Sequence, residues 1–245
     1  MFGMNRTVGD GSDIASVAAL LGDASRAAMV TALMDGLRLP ATELARIAGV
    51  SKSTASEHLA RLVDSGLLDT ERCGRHTYYR VADPLVGRAL EALAVIAPQR
   101  RPNSLRSVRR HEELGRARLC YDHLAGHLGV AVTDALRQRG LLYERDAALE
   151  VDQAAWDAHV PLDVTCDAAR KGRRPLARGC VDWTVRRHHL AGALGAKLAA
   201  RMFDLGWIQR RREKERAIVV TDVGLHGMRE VFDFDDSTLQ ALAPA

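Results

Sequence analysis

The chain has 245 residues, 47% hydrophobic and 27% charged, with a formal net charge of +4. That suffices for one large or two small cores, and no apolar run approaches the ~20 residues of a membrane span, so a soluble protein with no membrane partner is expected. Four cysteines form neither a C-x-x-C pair nor a zinc-ribbon spacing, and no signal-peptide pattern is present, which points to reduced thiols in the cytoplasm.

After a polar N-terminal stretch, Ile14, Val17, Leu20 and Leu21 mark an alanine-rich amphipathic helix, and a second runs from Ser25 towards Leu33. Gly22 and Asp23, within "LGDASR", stop one and start the next. Pro40 opens a short helix, "TELARIAGV", that ends at Gly49. "SKSTASEHLARLVDSGLL" then reads as a helix capped by Ser51 and closed by Gly66, with Ala55, Leu59 and Leu62 on one face. Two β-rich runs joined at Cys73-Gly74 predict a hairpin, and Leu85, Ala89, Leu93 and Ile96 predict a last helix. "APQRRPNS" has the composition of a linker. The expected domains are 1–97, a linker at 98–104, and 105–245.

Short helix, tight turn, helix and hairpin is the order of a winged helix-turn-helix. The second of those helices presents small polar side chains suited to base edges, and nearby cations suit phosphates. The candidate DNA-contacting residues are Ser51, Lys52, Ser53, Thr54, Ser56, Glu57, His58 and Arg61 on the helix, with Arg72, Arg75 and His76 on the wing.

The stretches "LGDASRAAMVTAL", "TELARIAGVSKSTASEHLARLVDSGLL" and "RCGRHTYYRV", across residues 14–97, resemble the ArsR/SmtB family of bacterial repressors. The resemblance implies a homodimer, held partly by the first and last helices of this region, on a pseudo-palindromic double-stranded DNA operator. The family's metal sites do not carry over. Pro40 and Thr42 stand where one site has cysteines, and of the other only Asp83 remains, with Leu85, Ile96 and Gln99 at its further positions.

The second region repeats itself. "HLAGHLG" at 123–129 is matched by "HLAGALG" at 189–195, each soon after a Cys-x-Asp, and Gly140 falls on Gly206 at the same offset. Each copy reads as helix, glycine stop, strand, turn, strand, helix, the tail half of a winged helix. The fold class expected is mainly α with short β-hairpins (α+β): an N-terminal winged helix-turn-helix followed by two winged-helix-like repeats. Ala125, Gly126 and Gly129, like Ala191, Gly192 and Gly195, suggest close helix packing. Cys120, His123 and His127 would share one helical face if a helix runs through Cys120. Asp122 and Asp182 have the character of N-caps. The unequal Cys-to-His distances argue that the two cysteines are not equivalent.

Three readings of this region stay open: duplicated packing, a thiol switch, or an effector or metal pocket drawing on Cys120, His123, His127, Cys180 and His188. No cofactor is required by the sequence; a metal, small-molecule or thiol-reactive effector is the candidate partner. With no G-x-G-x-x-G, P-loop or H-E-x-x-H, the chain does not read as an enzyme. The expected function is sequence-specific DNA binding by a repressor that an effector releases; the alternative is a dimerisation module on DNA that senses nothing.

Overall fold

The computed structural model describes residues 12–34, 36–74, 76–98, 105–146, 148–159, 161–170, 174–211 and 215–244. The chain divides into two compact units, Met1–Leu90 and Glu91–Ala245. From residue 99 the expected linker lies outside the described residues, as do Arg75 and residues 212–214. Among the described residues no single helix is long and apolar enough to cross a membrane.

In the first unit, α1 (Ile14–Leu21) gives way to α2 (Ala24–Leu33) at Asp23, whose carboxylate accepts the N–H groups of Ser25 and Arg26 at 3.0 and 2.9 Å. A short strand, β1 (Leu39–Pro40), leads into α3 (Ala41–Ala48), which ends at Gly49 with φ of +67°. Ser51 then caps α4 (Lys52–Asp64), accepting from Thr54 N–H at 3.1 Å. Strands β2 (Leu68–Cys73) and β3 (His76–Val81) form the wing, antiparallel with Cys73 opposite His76, and β1 pairs on the far edge of β3. Met29, Leu33, Leu44, Leu59 and Leu62 form the core, so α3 and α4 are fixed against α2 by their apolar faces.

Helix α5 (Pro84–Ile96) departs from the expected stripe. It buries Leu90 and Glu91, while Leu85, Leu93 and Ile96 are exposed. Glu91 is the first residue of the second unit.

After the end of α5 the second unit continues with α6 (Leu105–Arg116) and then runs twice through one order of elements. The first pass is β4 (Arg118–Cys120), β5 (His123–Ala125), α7 (Gly126–Gln138), β6 (Leu142–Arg145), β7 (Ala148–Val151) and α8 (Gln153–His159). After a 3-10 turn at Pro161–Asp163 and the short α9 (Cys166–Ala169), the second pass follows. It comprises β8 (Arg178–Val181), β9 (His188–Ala191), α10 (Gly192–Asp204), β10 (Ile208–Arg210), β11 (Ile218–Val220) and α11 (Asp222–Phe232), with α12 (Asp236–Leu242) last. Gly140 and Gly206 end α7 and α10 with φ of +71° and +67°. Leu128, Leu136, Trp156, Leu194, Leu198, Met202, Trp207 and Met228 belong to one core that both passes supply.

The expected helix–strand–turn–strand–helix order is present in each pass, but a hairpin precedes it where a helix through Cys120 was expected. Each helix begins at a glycine with positive φ, Gly126 at +74° and Gly192 at +91°, a backbone turn that stops the helix from extending backwards. Neither Asp122 nor Asp182 caps the helix that follows it. Ala125 and Ala191 hold the cap positions and make no side-chain bond. Asp182 instead reaches across to the other pass and accepts the N–H of Gly126, the first residue of α7, at 2.7 Å. The small residues also act differently from expectation. A Cβ on Gly129 would run into the Leu124 carbonyl and meet His189, and one on Gly195 the Leu190 carbonyl and His123, so they let a helix lie on the hairpins.

Candidate functional site

The polar face of α4 is open. Ser51, Lys52, Ser53, Ser56, Glu57 and Arg61 are exposed, and Thr54 is half-buried. Ser51 Oγ lies 2.8 Å from Ser53 Oγ and 2.9 Å from Thr54 Oγ1, and Ser56 Oγ donates to the Lys52 carbonyl at 3.0 Å. These are local bonds that leave the hydroxyls at the surface. On the wing Arg72 and His76 are exposed, whereas Glu71 is engaged by Arg38 at 3.0 Å and Asp69 by Arg80.

His58 behaves differently from the rest of its set. It is half-buried, with Nδ1 3.3 Å from an amino group of Arg26. Arg26, buried beneath α4, donates Nε to the Leu20 carbonyl at 2.6 Å and its other amino group to that of Ala19 at 3.0 Å. It therefore satisfies the end of α1 and fixes α4 through His58. Sequence reasoning passed over Arg26; its place three residues after an N-cap gave no sign of the fold-back.

The second cluster lies within the second unit. Antiparallel register sets Cys120 opposite His123 on one hairpin and Cys180 opposite His189 on the other. The cysteines are thus equivalent after all: the longer second connection is taken up in the turn, and strand pairing restores the geometry. Among the described residues, one ligand atom from each of Cys120, His123, Cys180 and His189 lies within 4.8 Å of every other. The sulfurs are 3.8 Å apart and the imidazoles stack with centroids at 5.1 Å.

Two expected members fall elsewhere. His188 is the neighbour of His189 on β9, and strand alternation turns it to the opposite face, half-exposed and 3.6 Å from Glu144. His127 is exposed and lines a cleft of about 360 Å³ with Asp134, Arg187 and Asp233. The helical spacing that joined it to Cys120 does not apply, because Cys120 is in a strand. His189 was missed for the same reason.

Charges surround the cluster in an ordered way. Asp122 Oδ1 is 3.2 Å from His123 Nδ1 and accepts from Arg174 at 2.9 Å. Burial resists ionisation of Asp122, but the Arg174 and His123 contacts hold it well below the usual carboxylate range. Asp182 Oδ2 accepts from Arg118 at 2.8 Å and lies 3.7 Å from His189 Nδ1; Oδ1 accepts the Thr184 and Val185 N–H groups at 2.8 and 2.9 Å. Burial opposes that charge also, and Arg118 with these donors outweighs it. The sulfur–sulfur contact and burial push Cys120 up to about 12, while the same contact lowers Cys180. Burial lowers His189; for His123 it is outweighed by Asp122 and Cys120, and its pKa rises. Cys120 Sγ also donates to Glu91 Oε2 at 2.9 Å, and Arg216 pairs with the same carboxylate.

A family model described as a helix-turn-helix domain matches residues 21–71. An HTH-type transcriptional regulator of Bacillus subtilis (strain 168), YdfF, is 41% identical over 212 residues, which are 86% of this chain and 93% of that protein. The chain belongs to the ArsR family of helix-turn-helix transcriptional regulators. The HTH-type regulator CmtR of Mycobacterium tuberculosis (strain ATCC 25618 / H37Rv) is 34% identical over 85 residues, 35% of this chain and 71% of its own. A solution structure of a homodimeric winged helix-turn-helix DNA-binding domain from Mycobacterium bovis is 26% identical. It covers 36% of this chain and 89% of its own, with a TM-score of 0.32.

Within this ArsR-family chain, the carboxylate of Asp83 accepts the Leu85 N–H at 2.6 Å and so caps α5. Gln99 lies outside the described residues. The cysteines and histidines that do converge are all in the second unit. Two cations of the basic run at 209–216 are engaged within the second unit. Arg216 Nε donates to the Leu119 carbonyl at 2.8 Å, and Arg211 pairs with Glu113 at 2.8 Å.

Proposed function

We propose that the protein is a cytoplasmic homodimeric repressor. Its two α4 helices enter successive major grooves of a pseudo-palindromic operator, and an effector bound by the second unit releases it. The observation that carries the DNA reading is the open polar face of α4, with Ser51, Lys52, Ser53, Ser56 and Arg61 exposed while Ala55, Leu59 and Leu62 are buried. Small hydroxyls let the helix approach base edges, and the cations neutralise phosphates. Arg72 and His76 on the wing extend the same chemistry to flanking backbone.

Dimerisation is supported by apolar surface that a monomer leaves in water. Helix α1 has no buried residue; Ile14 is 74% and Val17 41% exposed, and on α5 Leu85 and Ile96 are 64% and 79% exposed. Side chains of this kind are worth ~1.5–3 kcal/mol each when covered.

Fluorescence anisotropy on the DNA upstream of its own gene, over a salt series, tests the reading. Arg61→Glu is expected to abolish specific binding with the fold intact by circular dichroism; unchanged affinity would remove α4 from the interface. Ile14→Glu/Val17→Glu is expected to shift sedimentation from dimer to monomer, and a dimer that persists would place the interface elsewhere.

A further inference from the structure

We propose that Cys120, His123, Cys180 and His189 form a closed tetrahedral site for one thiophilic divalent cation of the zinc type, which ties the two hairpins of the second unit together.

The geometry suits the ion. Two thiolates bound to tetrahedral zinc at ~2.3 Å lie ~3.8 Å apart, and the two sulfurs are 3.8 Å apart here. The four donor atoms all fall within 4.8 Å of one another, a set that closes around one atom with small side-chain movements. Two sulfurs and two imidazole nitrogens are the donors that select zinc over magnesium or calcium.

Unsatisfied polar atoms supply an independent argument. His123 and His189 are 2% and 0% exposed, yet Nε2 of His123 and both ring nitrogens of His189 have no hydrogen-bond partner. Buried polar atoms are rarely left so, because the unmade bond costs ~1–3 kcal/mol. The two stacked imidazoles thus bring unpartnered buried nitrogens to the same spot as the two sulfurs, the donor set of a metal site.

The surrounding shell is the one a metal site needs. His123 faces Asp122 with Nδ1 at 3.2 Å, which orients its ring and leaves Nε2 to bind, and the Asp182 carboxylate stands beside Nδ1 of His189 at 3.7 Å, beyond hydrogen-bond reach. Each of those carboxylates is itself held by an arginine, Arg174 and Arg118 respectively. Binding of a dication displaces the two thiol protons to solvent, and two thiolates then cancel its charge, so the buried site is neutral. The thiol proton of Cys120 that Glu91 now accepts is lost in that step. Four protein ligands leave no open position, so the site holds a cation and does no hydrolytic chemistry.

The test is titration of the reduced, full-length protein with Co(II), followed by displacement with Zn(II). One Co(II) per chain is expected, with tetrahedral visible bands and thiolate charge transfer, both erased by Zn(II). Cys180→Ser, at the half-exposed ligand, should cut the charge-transfer intensity by about half and weaken binding at least 100-fold; Cys73→Ser and Cys166→Ser should change neither. Asp122→Asn should weaken binding ~10–100-fold without altering the bands. X-ray absorption of the wild-type Zn(II) form should count two sulfur and two nitrogen neighbours, which decides the matter even where a variant fails to fold. Absence of thiolate bands, bands that keep their full intensity in Cys180→Ser, or a different ligand count would each overturn the proposal.

Discussion

Arg118 and Asp182, 64 residues apart, meet at 2.8 Å with neither side chain open to water. Arg118 also lies over the Trp183 ring at 5.0 Å, and Asp182 takes the first N–H of α7. The pair therefore joins the second hairpin's turn to the first pass. Removing one member strands a buried charge, a loss of ~3–5 kcal/mol. Arg118→Met and Asp182→Asn are each expected to lower the unfolding free energy by that amount in urea. The double variant should lose clearly less than the sum, and simple additivity would mean the two do not interact.

Two glycines in the second unit should respond oppositely to alanine. At Gly129 a Cβ strikes the Leu124 carbonyl, which is backbone and cannot step aside, so Gly129→Ala should cost ~1–3 kcal/mol or more. At Gly115, near the end of α6, nothing lies within 4 Å, and Gly115→Ala should be neutral or stabilise by up to ~1 kcal/mol. Thermal melts of both variants check the contrast.

In the first unit, Arg26 and the surface cations have separable effects on DNA. Arg26→Met removes bonds to the Leu20 and Ala19 carbonyls and should weaken operator binding by loosening α4, with the salt dependence unchanged. Lys52→Ala and Arg72→Ala should each reduce the slope of log K against log salt by ~1, the signature of a lost phosphate contact. A changed slope for Arg26→Met would place that guanidinium on the DNA.

Thiol labelling separates Cys73 from Cys166. Cys73 is exposed at the wing tip and should alkylate at once in the folded protein, whereas buried Cys166 should not react until the chain unfolds. Burial, with Asp157 beside it, pushes Cys166 up to about 11. Its folded value lies above the unfolded one of ~8.5, so its contribution to stability is full below that pH and falls as pH rises towards 11. Cys166→Ala should flatten that alkaline decline in denaturation curves taken across the window.

The winged helix was legible because its signals are local. Asp23, Gly49, Ser51 and Gly66 punctuate the helices within a turn of where they act. What escaped was register. Cysteine and histidine are three residues apart in the first hairpin and nine in the second, and only strand pairing shows that Cys120 and Cys180 hold the same place. His189 was passed over for His188 because a one-residue error on a strand changes the face. Gly126 and Gly192, read as helix-packing residues, carried the better clue: at positive φ they begin the helices and leave the preceding residues free to pair as strands.

Both hairpins that meet at Cys120, His123, Cys180 and His189 come from one polypeptide. A cluster assembled across a subunit interface weakens on dilution, since its ligands separate with the protomers. Here the four groups are tethered to one another at fixed effective concentration. Their affinity for an occupant is then a first-order property of the folded chain, with one site per polypeptide, unchanged whether the protein is scarce or abundant in the cell.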